Sequence, residues 1–348
     1  MMRAGAPPLL LLLLFAGKSC ALNNLGGPLR RVFGSRGNAA APDAISDEQV
    51  SEMDTPAGRA KLSQVIDTLS DSKLMDSITD VLPSFGGSKG SPEELSAIKA
   101  ARDALPDDPW MALRSDEELL PFVRGASSGD LVERLAETSA WRSKVIPPMD
   151  DQNWELSTFF GANQGKFYEN DELGERPFLQ WVKARDGDEE GAPPLQLEGA
   201  SLLILRPGRH SVGAIDSETW LSLIAWQGER ATTTWRAAEG KDDAESPGRG
   251  AVTLIVDRTG SGLRNQDPTL LRELLPALTR HFPYSLHRAY VAPVNIVFWA
   301  IWSVARVLLP TRVSERFTLL RGDDWQAQLA DELGPIVSAR VRAAGVVL

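Results

Sequence analysis

The residues best suited to chemistry in this 348-residue chain are few and widely spread. Gly125-Ala126-Ser127-Ser128-Gly129 spells the G-x-S-x-G of a hydrolase nucleophile elbow. That chemistry needs a strand before the serine, a helix after it, and a histidine to take the hydroxyl proton. Helical patterns flank this motif on both sides and no histidine is near it in sequence, so a turn between helices is the better reading. A serine hydrolase is therefore the weakest of the functional classes open to the chain. Gly260-Ser261-Gly262 follows a strand pattern, as a phosphate loop does, but Arg264-Asn265-Gln266 stands where a dinucleotide fingerprint needs its third glycine. His210, His281 and His287 are single histidines without metal-ligand spacing. The one cysteine, Cys20, falls in the amino-terminal segment, so the remainder carries no disulfide, thiol nucleophile or cysteine metal site. These counts point away from an enzyme, and neither a metal nor a cofactor is expected.

Charge narrows the partners. The chain carries 37 Lys+Arg against 47 Asp+Glu, a net charge of -10. From Ser201 to Leu348 there are 17 basic and 15 acidic residues, so the acidic excess lies upstream, in 43–200. No basic stripe offsets phosphate repulsion, and nucleic acid is not an expected partner.

The first 21 residues read as a secretory signal peptide: a charge at Arg3, the apolar run Pro7 to Gly17, and small residues at Ser19 and Ala21 about a cleavage point. Residues 22–56 form a leader, acid-free as far as Asp43 and bearing Arg30, Arg31 and Arg36, which is transit-like in composition. Two destinations follow from this pair: a complex plastid entered through the secretory pathway, or ordinary secretion into an endomembrane lumen or beyond.

Helical signals then dominate. Residues 57–108 form an amino-terminal helical region, in which Leu62, Val65, Ile66 and Leu69 recur at helical spacing. Ser91-Pro92-Glu93-Glu94 has the make-up of a capped helix start, and Ser115 with Glu118 repeats it. Residues 109–147 complete a helical lobe whose last helix runs from Asp130 to Val145. Residues 148–198 are acidic yet rich in aromatics, the pattern of an insertion or lid with a tip at 185–194. From 199 to 348 strand and helix patterns alternate. Ser201–Arg206, Ala251–Asp257, Arg288–Ala292 and Glu315–Leu320 are the strands, and helices at Asp324–Leu333 and Ile336–Ala344 close the chain. Continuous apolar strands of this kind are covered on both faces, so an α/β fold with a mostly parallel sheet is expected.

The segment Ile296–Leu309 is nearly all apolar. At 100° per residue, Val294, Val297, Ile301, Val304 and Leu308 share one face, while Asn295, Trp299, Trp302, Ser303 and Arg306 share the other. A core helix burying both sides is one reading. A membrane span is too short, since ~15 residues cover ~22 Å of a ~30 Å hydrocarbon core. A third reading is a cover whose aliphatic face closes an apolar cavity and whose Trp/Arg face meets a membrane surface.

Over about 110–335 the order of elements resembles the CRAL-TRIO family of lipid-binding and lipid-transfer proteins, of the phosphatidylinositol- and tocopherol-transfer type. Leu254-Ile255-Val256-Asp257 through Gly260, His281-Phe282-Pro283, Arg288-Ala289-Tyr290-Val291, and Leu309-Pro310 through Ser314-Glu315-Arg316-Phe317 carry the likeness. Upstream, Leu119 to Arg124 and Glu133 to Trp141-Arg142 resemble the family's helical lobe. Tyr284 stands where phosphoinositide-binding members carry an acid, and Ala292-Pro293-Val294-Asn295 departs from their order, which counts against phosphatidylinositol specificity.

The resemblance implies a helical lobe followed by an α/β domain with an apolar cavity under a gate helix. It implies a non-enzymatic carrier of one hydrophobic ligand, a phospholipid, isoprenoid or similar molecule, that meets membrane surfaces transiently. In that frame Leu203, Leu205, Leu254, Val256 and Tyr290 line the cavity floor, and Val297, Ile301, Val304 and Leu308 close it. Arg316 meets an anionic head group, and Trp299, Trp302 and Arg306 touch the membrane. The alternative is a scaffold of the same fold whose cavity is filled by its own side chains.

Overall fold

The computed structural model describes residues 90–125, 130–145, 178–185, 194–210, 251–262, 286–294 and 314–348, with parts of 212–229, 265–283 and 298–302. The signal, the leader, the helix expected near Leu62, most of 148–198, and Ser127 lie outside the described residues.

The first described unit is helical. Helix α1 (Pro92–Ala104) starts as its sequence dictates: Ser91 Oγ accepts from the Glu94 amide, and the Glu94 carboxylate accepts from the Ser91 amide. Helix α2 (Pro109–Ala112) is capped by Asp108, whose carboxylate accepts from the Met111 amide. Helix α3 (Asp116–Gly125) repeats the reciprocal cap through Ser115 and Glu118. Helix α4 (Leu131–Val145) completes the set. Ile98, Ala101, Trp110, Met111, Leu119, Leu120, Phe122 and Leu135 form one buried core among the four. Arg124 clips α3 to α1 with two bonds to the Glu94 carboxylate, at 2.9 and 3.1 Å, and that contact holds the carboxyl below its usual pKa.

The second unit is a six-stranded sheet. Strands β1 (Leu179–Trp181) and β2 (Gln196–Leu197) pair antiparallel with β3 (Ala200–Leu205). Strands β4 (Val252–Asp257), β5 (Leu286–Ala292) and β6 (Phe317–Leu319) follow in parallel. The α/β class expected from the sequence is therefore what the chain adopts. The stretch 148–198, expected as an insertion or lid, supplies β1 and β2, which pair with β3.

Strand order is the feature that positions everything else. The parallel strands lie side by side in chain order, β3-β4-β5-β6. Parallel strands in chain order are joined, as a rule, by right-handed crossovers on one face of their sheet. The opposite face is left for the carboxy-terminal helix α5 (Trp325–Ala343). It packs Trp325, Leu329, Leu333 and Val341 on Leu202, Ile204, Ile255, Tyr290 and Ala292. As the sequence indicated, this helix is two pieces: Gly334 takes φ 73°, a left-handed value natural to glycine, and Pro335 follows.

Candidate functional site

Parallel register assigns each strand residue to a face. Leu203, Leu254, Ala289 and Phe317 are aligned across β3 to β6, as are Leu205, Val256, Val291 and Leu319 two residues on. Because side chains alternate, these eight share the face away from α5. All except the half-buried Leu319 are buried. Four of the five residues expected on a cavity floor are thus brought together.

Tyr290 is not among them. It aligns with Ile255 and Ile204, is 1% exposed, and belongs to the core under α5. Burial raises its phenol pKa, as suits a packed rather than a ligand-facing group. The register shifts by one residue between Val252/Leu286 and Thr253/Arg288, and this irregularity fixes which face each β5 side chain takes.

Of the cover segment, Val297, Ile301, Val304, Leu308 and Arg306 lie outside the described residues. Phe298 and Trp302, one helical turn apart, are 0% and 3% exposed. The Trp302 ring lies 5.0 Å from that of Phe317, on the crossover face. Trp302, expected on the outer side with Arg306, is therefore turned inward here. The rings of Phe298 and Trp302 are thereby removed from water. Trp299 is half-buried, with the Arg321 guanidinium stacked 4.0 Å from its ring. Arg316 donates from Nη1 to the Leu286 carbonyl, so it ties β6 to the start of β5.

Sequence reasoning missed Arg258. It follows β4, its amide donates to the Ala292 carbonyl at 2.6 Å, and the strand ladder therefore extends to it. Alternation sets it on the face of Leu254 and Val256, and its guanidinium is buried, 4.2 Å over the Phe298 ring. Burial pulls its pKa down to about 9, which leaves it protonated at neutral pH. The i, i+2, i+4 spacing of Leu254, Val256 and Arg258 was the available signal. The next turn buries the Ser261 hydroxyl without a hydrogen-bond partner. Nearby, Asn265 donates to the His210 and Gly208 carbonyls, at 2.7 and 3.3 Å, and accepts from the Gly262 amide, joining the loops after β3 and β4. His210 itself is buried and pairs with Asp267 at 3.3 Å.

A second polar cluster joins the helical unit to the sheet unit. Glu229 pairs with Arg114 at 2.9 Å and with Arg142, all three nearly buried. Arg142 also donates to the His281 carbonyl at 2.7 Å and stacks on Trp110 and Phe282. Trp141 stacks on the His281 ring at 4.4 Å, and Thr138 shares a 3.0 Å hydrogen bond with His281 Nδ1. Gly228 lets Phe282 come this close, since a Cβ there would stand 2.4 Å from the ring. The Trp141-Arg142 pair noted in the sequence is therefore a clamp between the units. Burial, and then Arg142, Arg280 and Arg134, lower the His281 pKa to about 3, so the imidazole is neutral.

Among the described residues no group of three or more His, Cys, Asp or Glu is arranged to hold a metal ion, and no helix is long and apolar enough to cross a membrane. The motif Gly125 to Gly129 is preceded by a helix, not by the strand a nucleophile elbow requires.

A mostly parallel sheet with its parallel strands in chain order, one face packed under α5 and the other lined by buried aliphatic side chains, defines the class. Residues 196–336 match the family model of the CRAL/TRIO domain, and that stretch is a domain of the CRAL/TRIO type. Domains of this family are in general of the lipid-binding and lipid-transfer type, and its members are generally not enzymes. Among curated proteins, none matches the chain.

Proposed function

We propose that the crossover face of the sheet floors a site for one lipid molecule, and that the segment carrying Phe298 and Trp302 is its moving cover. The protein carries the ligand between membranes without transforming it. One observation carries this reading. Leu203, Leu205, Leu254 and Val256 are gathered on a single buried face that is separate from the core under α5. A lipid leaves a bilayer only if equivalent burial is returned to it, about 25 cal/mol for each Å² of apolar surface. Val297, Ile301, Val304 and Leu308 close the site in this account. Opening the cover swings Trp302 off Phe317 and, with Trp299 and Arg306, presents it to the membrane interface, where both residue types are favoured. The signal and transit-like segments deliver the protein through the secretory pathway, to a plastid or to an endomembrane lumen.

A second reading has its own support. The inward turn of Phe298 and Trp302 places two large rings between cover and sheet, which suits a filled scaffold. Transfer of a fluorescent phospholipid between donor and acceptor vesicles separates the two. The carrier accelerates transfer, and Val256→Trp, which fills the floor, slows it about tenfold, equivalent to about 1.4 kcal/mol. A scaffold leaves the spontaneous rate unchanged.

A further inference from the structure

The helical unit and the sheet unit meet through a joint unlike either core. Helix α4 presents Arg134, Thr138 and Arg142 in one row, each about one turn after the last. Together they grip the chain at Arg280 and His281. Arg134 donates from Nε and Nη2 to the Arg280 carbonyl, both at 3.3 Å. Thr138 shares its 3.0 Å bond with His281 Nδ1, and Arg142 donates to the His281 carbonyl at 2.7 Å. The apolar part of the joint is small: Val145, Ala225 and Phe282, with Trp141 packed against them. A joint built mainly of polar bonds separates more readily than an apolar core. The core among α1 to α4 and the core under α5 contain no group that titrates between about pH 4 and pH 7.

The joint itself contains such a group. The His281 ring is buried against Trp141, so a proton on it places a charge where little water reaches. The charged side chains that act on it are all cations: Arg134 and Arg142 from α4, and Arg280 from its own segment. The carboxylates beside these are engaged, Glu137 by Arg280 and Glu229 by Arg142 and Arg114. We infer that this joint is an acid-released hinge: protonation of His281 detaches the helical unit from the sheet unit while both stay folded. The inference is independent of what the sheet carries. Freed, the ring binds a proton near 6.5; in the closed joint it does so only at about 3. Acid therefore favours the separated state, about 30-fold more at pH 5 than at pH 7.5. The seat of Phe282 also depends on Gly228, since a Cβ there would overlap the ring.

Paired spin labels on the full chain test this. Cys20→Ser removes the native thiol, and Lys99→Cys on α1 and Ala339→Cys on α5 supply exposed attachment points, one on each unit. The distance between them is read by double electron–electron resonance at pH 7.5 and pH 5, with circular dichroism recorded at both. One distance is expected at pH 7.5, and a second, longer population at pH 5 with helicity unchanged. His281→Gln keeps the short distance at both pH values, and Gly228→Val shows the long one already at pH 7.5. A single distance at both pH values with the joint unaltered overturns the inference. So does a longer population that persists in His281→Gln, or helicity lost in step with separation. If His281→Gln does not fold, the response of the unaltered joint and the distance in Gly228→Val decide the matter.

Discussion

His281 is a histidine the fold keeps uncharged. Its ring lies under Trp141, shares a hydrogen bond with Thr138, and is surrounded by Arg142, Arg280 and Arg134. Burial and these cations lower its pKa from 6.5 to about 3. The unfolded imidazole accepts a proton near 6.5 that the folded one refuses. The stability tied to this residue is thus whole above pH 6.5 and drains as pH falls towards 3, at up to about 1.4 kcal/mol per pH unit. His287, also lowered chiefly by burial, acts in the same direction. Urea unfolding at pH 7 and pH 5 checks this: a loss of about 2 kcal/mol is expected, and equal stabilities contradict the assignment. Sequence revealed little of this site. The pair Trp141-Arg142 was visible, but its partners Glu229, His281 and Phe282 come from segments more than 80 residues away. Local features fared better. Both Ser/Glu capping boxes were legible because all their atoms lie within one turn.

At the scale of elements, the strands were readable as apolar runs, and the break at Gly334-Pro335 as a break. Which way each strand faces was not. Strand β5 is buried from Ala289 to Ala292 on both sides, so it carries no alternation from which to read a register, and the shift at Val252/Thr253 decides it. For that reason the sequence pattern alone groups Tyr290 with residues that lie on the opposite face. The segment 296–309 poses the same difficulty: a stretch apolar nearly all round does not declare its inner side, and its described residues Phe298 and Trp302 are the buried ones. The two sheet faces now predict different phenotypes. Ile204 packs in the core under α5, so Ile204→Ala lowers unfolding free energy by about 2–5 kcal/mol while ligand transfer by the folded fraction is unchanged. A variant that loses transfer in step with stability places ligand and core on the same face and contradicts the division.

For the whole molecule, strand order makes the separation of tasks possible. The parallel strands lie in chain order, and the core under α5 occupies one face of the sheet while Leu203, Leu205, Leu254 and Val256 lie on the other, so the proposed ligand face is distinct from that core. The helical unit is held to this body through the Glu229, Arg142 and His281 cluster. The likeness noted in the sequence held at this scale, over residues 196–336, because it rested on the order of many elements rather than on one motif. The central claim is that a separate molecule occupies the space over Leu203, Leu205, Leu254 and Val256. Native mass spectrometry of the purified protein, before and after organic extraction, tests it most directly. The account predicts a mass excess of a single amphiphile that extraction removes and that Val256→Trp lacks; a mass equal to the polypeptide alone, unchanged by extraction and by added lipid, contradicts it.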